Sequence, residues 1–184
     1  MKNAHLAAAI LVLLFLVSCS NSIKEPIDSN GMDNNIEQTI HKELISQLNS
    51  EVKLPEIVYS KDTELGLFSY FTFFSSGTKF EGIVSFNDSE GTTVRKLAYG
   101  EIDEKIPVTR IQLSITNNDS EVRMIGGQIN NPVISSILLS FFNGTLVKVY
   151  KFDSNSYAYV DTDNSGGLSQ IQGFNEEDEL IFEN

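Results

Sequence analysis

The chain has 184 residues, a formal net charge of −12, one cysteine and two histidines. One cysteine excludes an internal disulfide and a zinc site built from thiolates. The acidity argues against nucleic acid as a partner, because binding a polyanion needs clustered basic side chains and only Arg95 and Lys96 are adjacent.

The amino terminus has the pattern of an export signal. Lys2 precedes an uninterrupted apolar stretch of twelve residues, Leu6 to Val17. A membrane-spanning helix needs about 20 apolar residues and a secretory signal roughly 7 to 15, so the stretch predicts a signal peptide over residues 1–18.

The end of that stretch, Leu16-Val17-Ser18-Cys19, resembles the lipobox of bacterial lipoproteins. The resemblance implies that Cys19 is acylated and becomes the first residue of the mature chain, which then has 184 − 18 = 166 residues. The alternative is a free thiol in an ordinary secreted protein. Under the lipoprotein interpretation, the membrane is a partner through the anchor, and the protein lies on the extracytoplasmic face of the cell membrane.

After Cys19, residues 19–33 predict a flexible tether and residues 34–50 a helix. The tether is rich in Ser, Asn and Asp and has no apolar period. The helix is indicated by apolar residues at every fourth position, with one more widening the stripe: Ile36, Ile40, Leu44, Leu48 and Ile45. His41, the one histidine that remains after cleavage, lies on this helix, where we expect a solvated side chain and not a catalytic base.

Residues 51–104 predict a first β meander. Leu65 to Phe74 is the most apolar run and predicts a central strand covered on both faces. Turn residues separate it from the runs Phe80 to Phe86 and Thr92 to Tyr99.

Residues 105–184 predict an immunoglobulin-like β-sandwich half. Alternation from Thr109 to Ile115 indicates a half-buried strand. Gly126-Gly127 predicts a bulge or a close backbone approach, and Asn143-Gly144 predicts a two-residue type I′ hairpin turn. The fold class is therefore mainly β, an antiparallel β-sandwich or two small sheets in tandem with one N-terminal amphipathic helix.

Several segments resemble a loose group of uncharacterised small secreted proteins and lipoproteins of Gram-positive, spore-forming bacteria. These segments are Tyr59 to Gly66, Asn131 to Leu139, the Phe142-Asn143-Gly144 turn and the closing run from Gly173 to Phe182. The resemblance implies an extracytoplasmic β domain and supplies no catalytic residues.

Asp161 to Leu168 resembles the start of an EF-hand calcium loop, with oxygen ligands on Asp161, Asp163 and Ser165 followed by Gly166. Position twelve is Gln172 where that motif has a glutamate, and the flanks have the pattern of strands. The alternatives are a weak calcium site and a turn made of habitual turn residues.

The sequence thus predicts a non-catalytic binding or structural interaction module without a cofactor, apart from weakly bound calcium at that loop. Two alternatives remain. One is a carboxylate-dependent hydrolase acting on cell-wall polymers, with acids such as Asp62 and Glu64, or Glu101 with Asp103 and Glu104. The other is a calcium-dependent surface module.

Overall fold

A computed structural model describes residues 33–118 and 120–184 of the chain. The predicted signal peptide, Cys19 and the tether to residue 32 lie outside the described residues. The described part contains one helix and eleven strands: α1 (Asp33–Leu48), β1 (Glu56–Thr63), β2 (Gly66–Ser75), β3 (Thr78–Phe86), β4 (Val94–Glu101), β5 (Ile111–Asn117), β6 (Ser120–Gln128), β7 (Ser136–Phe141), β8 (Leu146–Tyr150), β9 (Ser156–Asp161), β10 (Leu168–Phe174) and β11 (Leu180–Glu183).

The strands form three antiparallel sheets. The first sheet is a meander with the order β1-β2-β3-β4, the second has the order β5-β6-β9, and the third has the order β11-β10-β7-β8. The prediction of a mainly β, antiparallel protein with one N-terminal helix is therefore confirmed. The sequence predicted a sandwich or two sheets in tandem, whereas the described residues form three sheets.

Helix α1 covers one face of the first sheet. Ile36, Ile40 and Leu44 are completely buried and pack with Phe71 and Phe86 of that sheet. The apolar stripe therefore faces the protein's own core. Ile45, one position beyond it, is 45 % exposed.

Two further clusters join the sheets to one another. The other face of the first sheet contributes Phe68 and Ile83, which pack with Leu113 and Met124 of the second sheet. The opposite face of the second sheet contributes Ile125, which packs in a third cluster with β7 and β10 of the third sheet. The second sheet is therefore covered on both faces.

This double coverage explains why there are three sheets. Strand β6 is buried along almost its whole length, and Met124 and Ile125 point into different clusters. A strand with apolar side chains on both faces needs a covering layer on each side. Strand β9 returns to pair with β6, whereas β7, β8, β10 and β11 form the additional layer.

The Gly126-Gly127 pair makes a close approach and not a bulge, since the pairing of β6 with β5 and β9 continues through it without a shift. A Cβ atom on Gly127 would lie 2.0 Å from the carbonyl oxygen of Thr109, and one on Gly126 would lie 2.6 Å from the ring of Tyr70. These two glycines let the segment before β5 and the first sheet approach the backbone of β6.

The β7–β8 hairpin exists, but the predicted type I′ turn is wrong. Gly144 donates a backbone hydrogen bond to the carbonyl of Phe141 at 2.9 Å, and Phe141 donates to the carbonyl of Thr145 at 2.9 Å. Gly144 has a φ of 88°, whereas Asn143 is not among the residues with positive φ. The connection is therefore a three-residue loop, a type I turn closed by a glycine bulge, and the side chain of Asn143 caps it by accepting from the Thr145 amide at 2.9 Å.

Gly144→Val should lower the free energy of unfolding by more than about 1 kcal/mol, because a β-branched residue is strained at positive φ. No atom lies within 4 Å of the added Cβ, so the backbone alone causes the loss. Thermal melts of Gly144→Val and Gly144→Asn provide the test, since asparagine tolerates this conformation. Equal losses in the two variants would contradict the explanation.

Candidate functional site

A cleft of about 440 Å³ opens at the junction of the first and second sheets. Its walls come from β3, β4, the segment between β4 and β5, and the start of β5. They are formed by Glu81, Tyr99, Gly100, Glu101, Asp103, Ile106, Val108, Thr109, Arg110 and Ile111, with Asn184 from the end of the chain. The lining combines three carboxyl groups and one guanidinium with apolar and aromatic surface.

Glu81 distinguishes this cleft, because it lines the wall although only 3 % of the residue is exposed. It lies on β3 opposite Gly100 of β4 and Thr72 of β2. Alternation along β3 puts Glu81 on the same face as Ile83, which packs against the second sheet. The sequence therefore directs a carboxyl group into the junction between two sheets.

A hydrogen-bond network surrounds the Glu81 carboxyl. The Tyr70 hydroxyl donates to Oε2 of Glu81 at 2.9 Å and accepts from Nε2 of Gln128 at 3.0 Å. Oε1 of Gln128 in turn accepts from Nζ of Lys79 at 3.5 Å. The chain of donors therefore runs in one direction, from Lys79 to Glu81.

Thr109 connects the segment before β5 to the same network. Its hydroxyl oxygen accepts from the backbone N–H of Gln128 at 2.8 Å, and its side chain also hydrogen-bonds to Glu81. The carbonyl of Thr109 accepts from the Tyr157 hydroxyl at 2.9 Å. Residues of the first and second sheets thus hydrogen-bond to one another in one buried polar cluster.

Burial raises the pKa of the Glu81 carboxyl above its ordinary value, because the charged form loses its hydration. The hydrogen bonds from Thr109 and Tyr70 and the charge of Lys79 oppose this increase. Burial also raises the pKa of the Tyr70 and Tyr157 hydroxyls, and the nearby Glu81 carboxylate adds to it. Both phenols therefore act as neutral hydrogen-bond groups.

The predicted calcium-loop residues lie at the end of β9, away from the cleft lining. Both oxygens of Asp161 are engaged within the loop: they accept from the amides of Asp163 and Ser165 at 3.2 and 3.1 Å and from the Ser165 hydroxyl at 3.0 Å. Arg123 holds the next residue by donating to the carbonyl of Gly166. Asp161 and Ser165 are buried, whereas Asp163 is exposed.

The side chain of Asp161 thus stabilises a turn. Within residues 33–118 and 120–184, no group of three or more His, Cys, Asp or Glu side chains is arranged to hold a metal ion. Calcium binding at Asp161, Asp163 and Ser165 stays a prediction.

The other residues that the sequence analysis singled out lie at different places in the fold, and only some of them line the cleft. Glu101 and Asp103 line the cleft, whereas Glu104, Asp62 and Glu64 are not part of its lining. The aromatic run in β2 is core, with Phe68 and Phe71 fully buried on opposite faces. His41 is partly buried, and its Nε2 donates to the carbonyl of Val52 at 2.7 Å.

The sequence interpretation missed Glu81, Tyr70, Gln128 and Arg110. One local signal was available, since a glutamate in phase with Ile83 on a strand that also contains Phe80, Val84 and Phe86 predicts a buried carboxyl group. Its partners could not be found in that way, because Tyr70 and Gln128 are 58 residues apart in the chain.

No helix in the described part of the chain is long and apolar enough to cross a membrane. Comparisons with protein-family models, curated proteins and solved structures found no significant match to this chain.

Proposed function

We propose that this protein is a lipid-anchored lipoprotein on the extracytoplasmic face of the cell membrane. Its folded part, a β-sandwich, serves as a non-catalytic binding or structural interaction module. The anchor is Cys19 at the end of the apolar stretch, and the tether between Cys19 and α1 separates the folded part from the membrane.

The proposed binding role rests on the cleft between the first and second sheets. It is concave and open and combines apolar surface on Tyr99 and Ile106 with charges on Glu101 and Arg110, the mixture that ligand sites use for affinity and orientation. Glu81, the buried acid in its wall, is already engaged by protein hydroxyl groups. This engagement favours a structural role for Glu81 and a non-catalytic role for the cleft.

One observation favours a second candidate, a carboxylate-dependent hydrolase, because Glu81, Glu101 and Asp103 line the same cleft. Such enzymes pair a protonated carboxylic acid with a carboxylate about 5 to 9.5 Å away. Digestion of purified wall polymers by the wild type, and its loss in both Glu81→Gln and Glu101→Gln, would establish the hydrolase. The binding proposal predicts no digestion by any of the three proteins.

Lipid anchoring is tested by Cys19→Ser with Ser20→Ala as the matched control. We expect the wild type and the control in the membrane fraction, whereas Cys19→Ser should be released or remain unprocessed, because serine lacks the thiol that accepts the lipid. Cell fractionation with immunoblotting measures both outcomes. Normal cleavage of Cys19→Ser with unchanged membrane retention would refute the anchor.

A further inference from the structure

The Glu81 network is a buried polar cluster at the junction of the first and second sheets. Tyr70 and Glu81 belong to the first sheet, Gln128 to the second, and Thr109 to the segment that leads into β5. Its hydrogen bonds cross the junction directly, from Gln128 to Tyr70 and through Thr109 to Glu81. A change in the charge of Glu81 therefore acts on the contact between two sheets.

Glu81 has no salt bridge within the described residues, in contrast to Glu121, which lies 2.6 Å from Arg123. The cation of Lys79 contacts Gln128 and not the carboxyl itself. The backbone amide of Gln128 also donates to the Glu81 carboxyl. The hydroxyls of Tyr70 and Thr109 can each donate or accept, so these two groups can satisfy a neutral carboxyl as well as a carboxylate. Loss of hydration then disfavours the charged form.

We propose that the Glu81 network is a proton-dependent latch between the first and second sheets. The latch holds the sheets most tightly when the Glu81 carboxyl carries a proton and more weakly when the carboxyl is ionised. This inference goes beyond the proposed function and does not depend on the lipid anchor.

The direction of the pH effect follows from linkage. Because burial raises the pKa of Glu81, the folded chain binds the proton more tightly than the unfolded chain. The contribution of the latch is complete below the ordinary glutamate pKa of about 4.3 and is lost as the pH rises through the raised pKa. A pH above that raised pKa should therefore loosen the junction and the wall of the cleft.

Other charged and titratable groups surround Glu81. They are Lys79 on β3, Tyr70 on β2, Glu101 on β4, Tyr157 on β9, Asp103 between β4 and β5, and Arg110 before β5. The two phenols have raised pKa values and stay neutral over the range tested. The variants Glu101→Gln and Asp103→Asn serve as controls for the two remaining acids.

Hydrogen exchange of the Gln128 amide gives a local readout, because this amide donates to Thr109 inside the network. In the full-length wild type, the exchange rate divided by the intrinsic rate should rise by more than about twofold from pH 5 to pH 8, because ionisation of Glu81 weakens the latch. Glu81→Gln keeps the shape but cannot ionise, so its ratio should change less than about twofold. The Phe141 amide, which donates to the carbonyl of Thr145 in the hairpin of the third sheet, is the internal control, since neither residue lines the cleft.

Both acid controls should behave like the wild type. The latch is refuted if Glu81→Gln keeps the full pH response, or if the Phe141 amide accelerates as strongly as that of Gln128. A carbon-detected NMR titration of the wild type tests the same claim without any variant. A Glu81 carboxyl that titrates at or below about 4.3 would overturn the proposal.

Discussion

Gly127→Val is expected to prevent folding or to lower the free energy of unfolding by about 3 kcal/mol or more. The new Cβ would lie 2.0 Å from the carbonyl oxygen of Thr109 and 2.7 Å from the Tyr157 ring. The first of these atoms belongs to the backbone and cannot turn away. Relief requires the segment before β5 to move from β6, which breaks the bond between Gln128 and Thr109.

Chemical denaturation of Gly127→Val and Gly100→Val measures this effect. Gly100 is also a strand glycine, but no atom lies within 4 Å of a Cβ added there, so its substitution should leave the midpoint almost unchanged. Equal midpoints for the two variants would show that the approach of Thr109 to β6 is not a constraint.

Leu44→Ala should lower the free energy of unfolding by about 2 to 5 kcal/mol, because it leaves a cavity between α1 and the first sheet. Leu44 is completely buried, whereas its neighbour Ile45 is 45 % exposed. Ile45→Ala on the same helix should therefore cost less than about 1 kcal/mol. Thermal melts of this pair measure the difference, and equal losses would mean that the helix does not use the Leu44 face for packing.

Elements defined by local patterns could be predicted from the sequence. The four-residue period of Ile36, Ile40 and Leu44 identified the helix and its buried face. The apolar run within β2 correctly indicated a strand covered on both faces. These features depend on side chains close together in the chain, where periodicity is informative.

The number of sheets could not be predicted, because it depends on which distant strands pair. Alternation identified β5, but the pairing of β9 with β6 and the separate third sheet depend on contacts between segments far apart in the chain. The prediction of the turn type at Gly144 was wrong for a local reason. An Asn-Gly pair suits both a two-residue and a three-residue loop, and pairing of Ser140 with Leu146 selects the longer one.

Only some residues of the candidate site could be predicted from the sequence. Glu101 and Asp103 were singled out as acids, but their position beside Glu81 requires β3 and β4 to pair. For Asp161, the sequence could not distinguish a cation ligand from a turn former, because both roles use the carboxylate oxygens of an aspartate in a loop. The structure shows the hydrogen bonds of a turn at that residue.

Mass spectrometry of the amino-terminal peptide from membrane-purified protein tests the lipoprotein assignment most directly. We expect a polypeptide that begins at Cys19 and carries more than one acyl group, since a single acyl group anchors a protein only marginally. A peptide that begins at Met1, or one in which Cys19 bears an unmodified thiol, would contradict it.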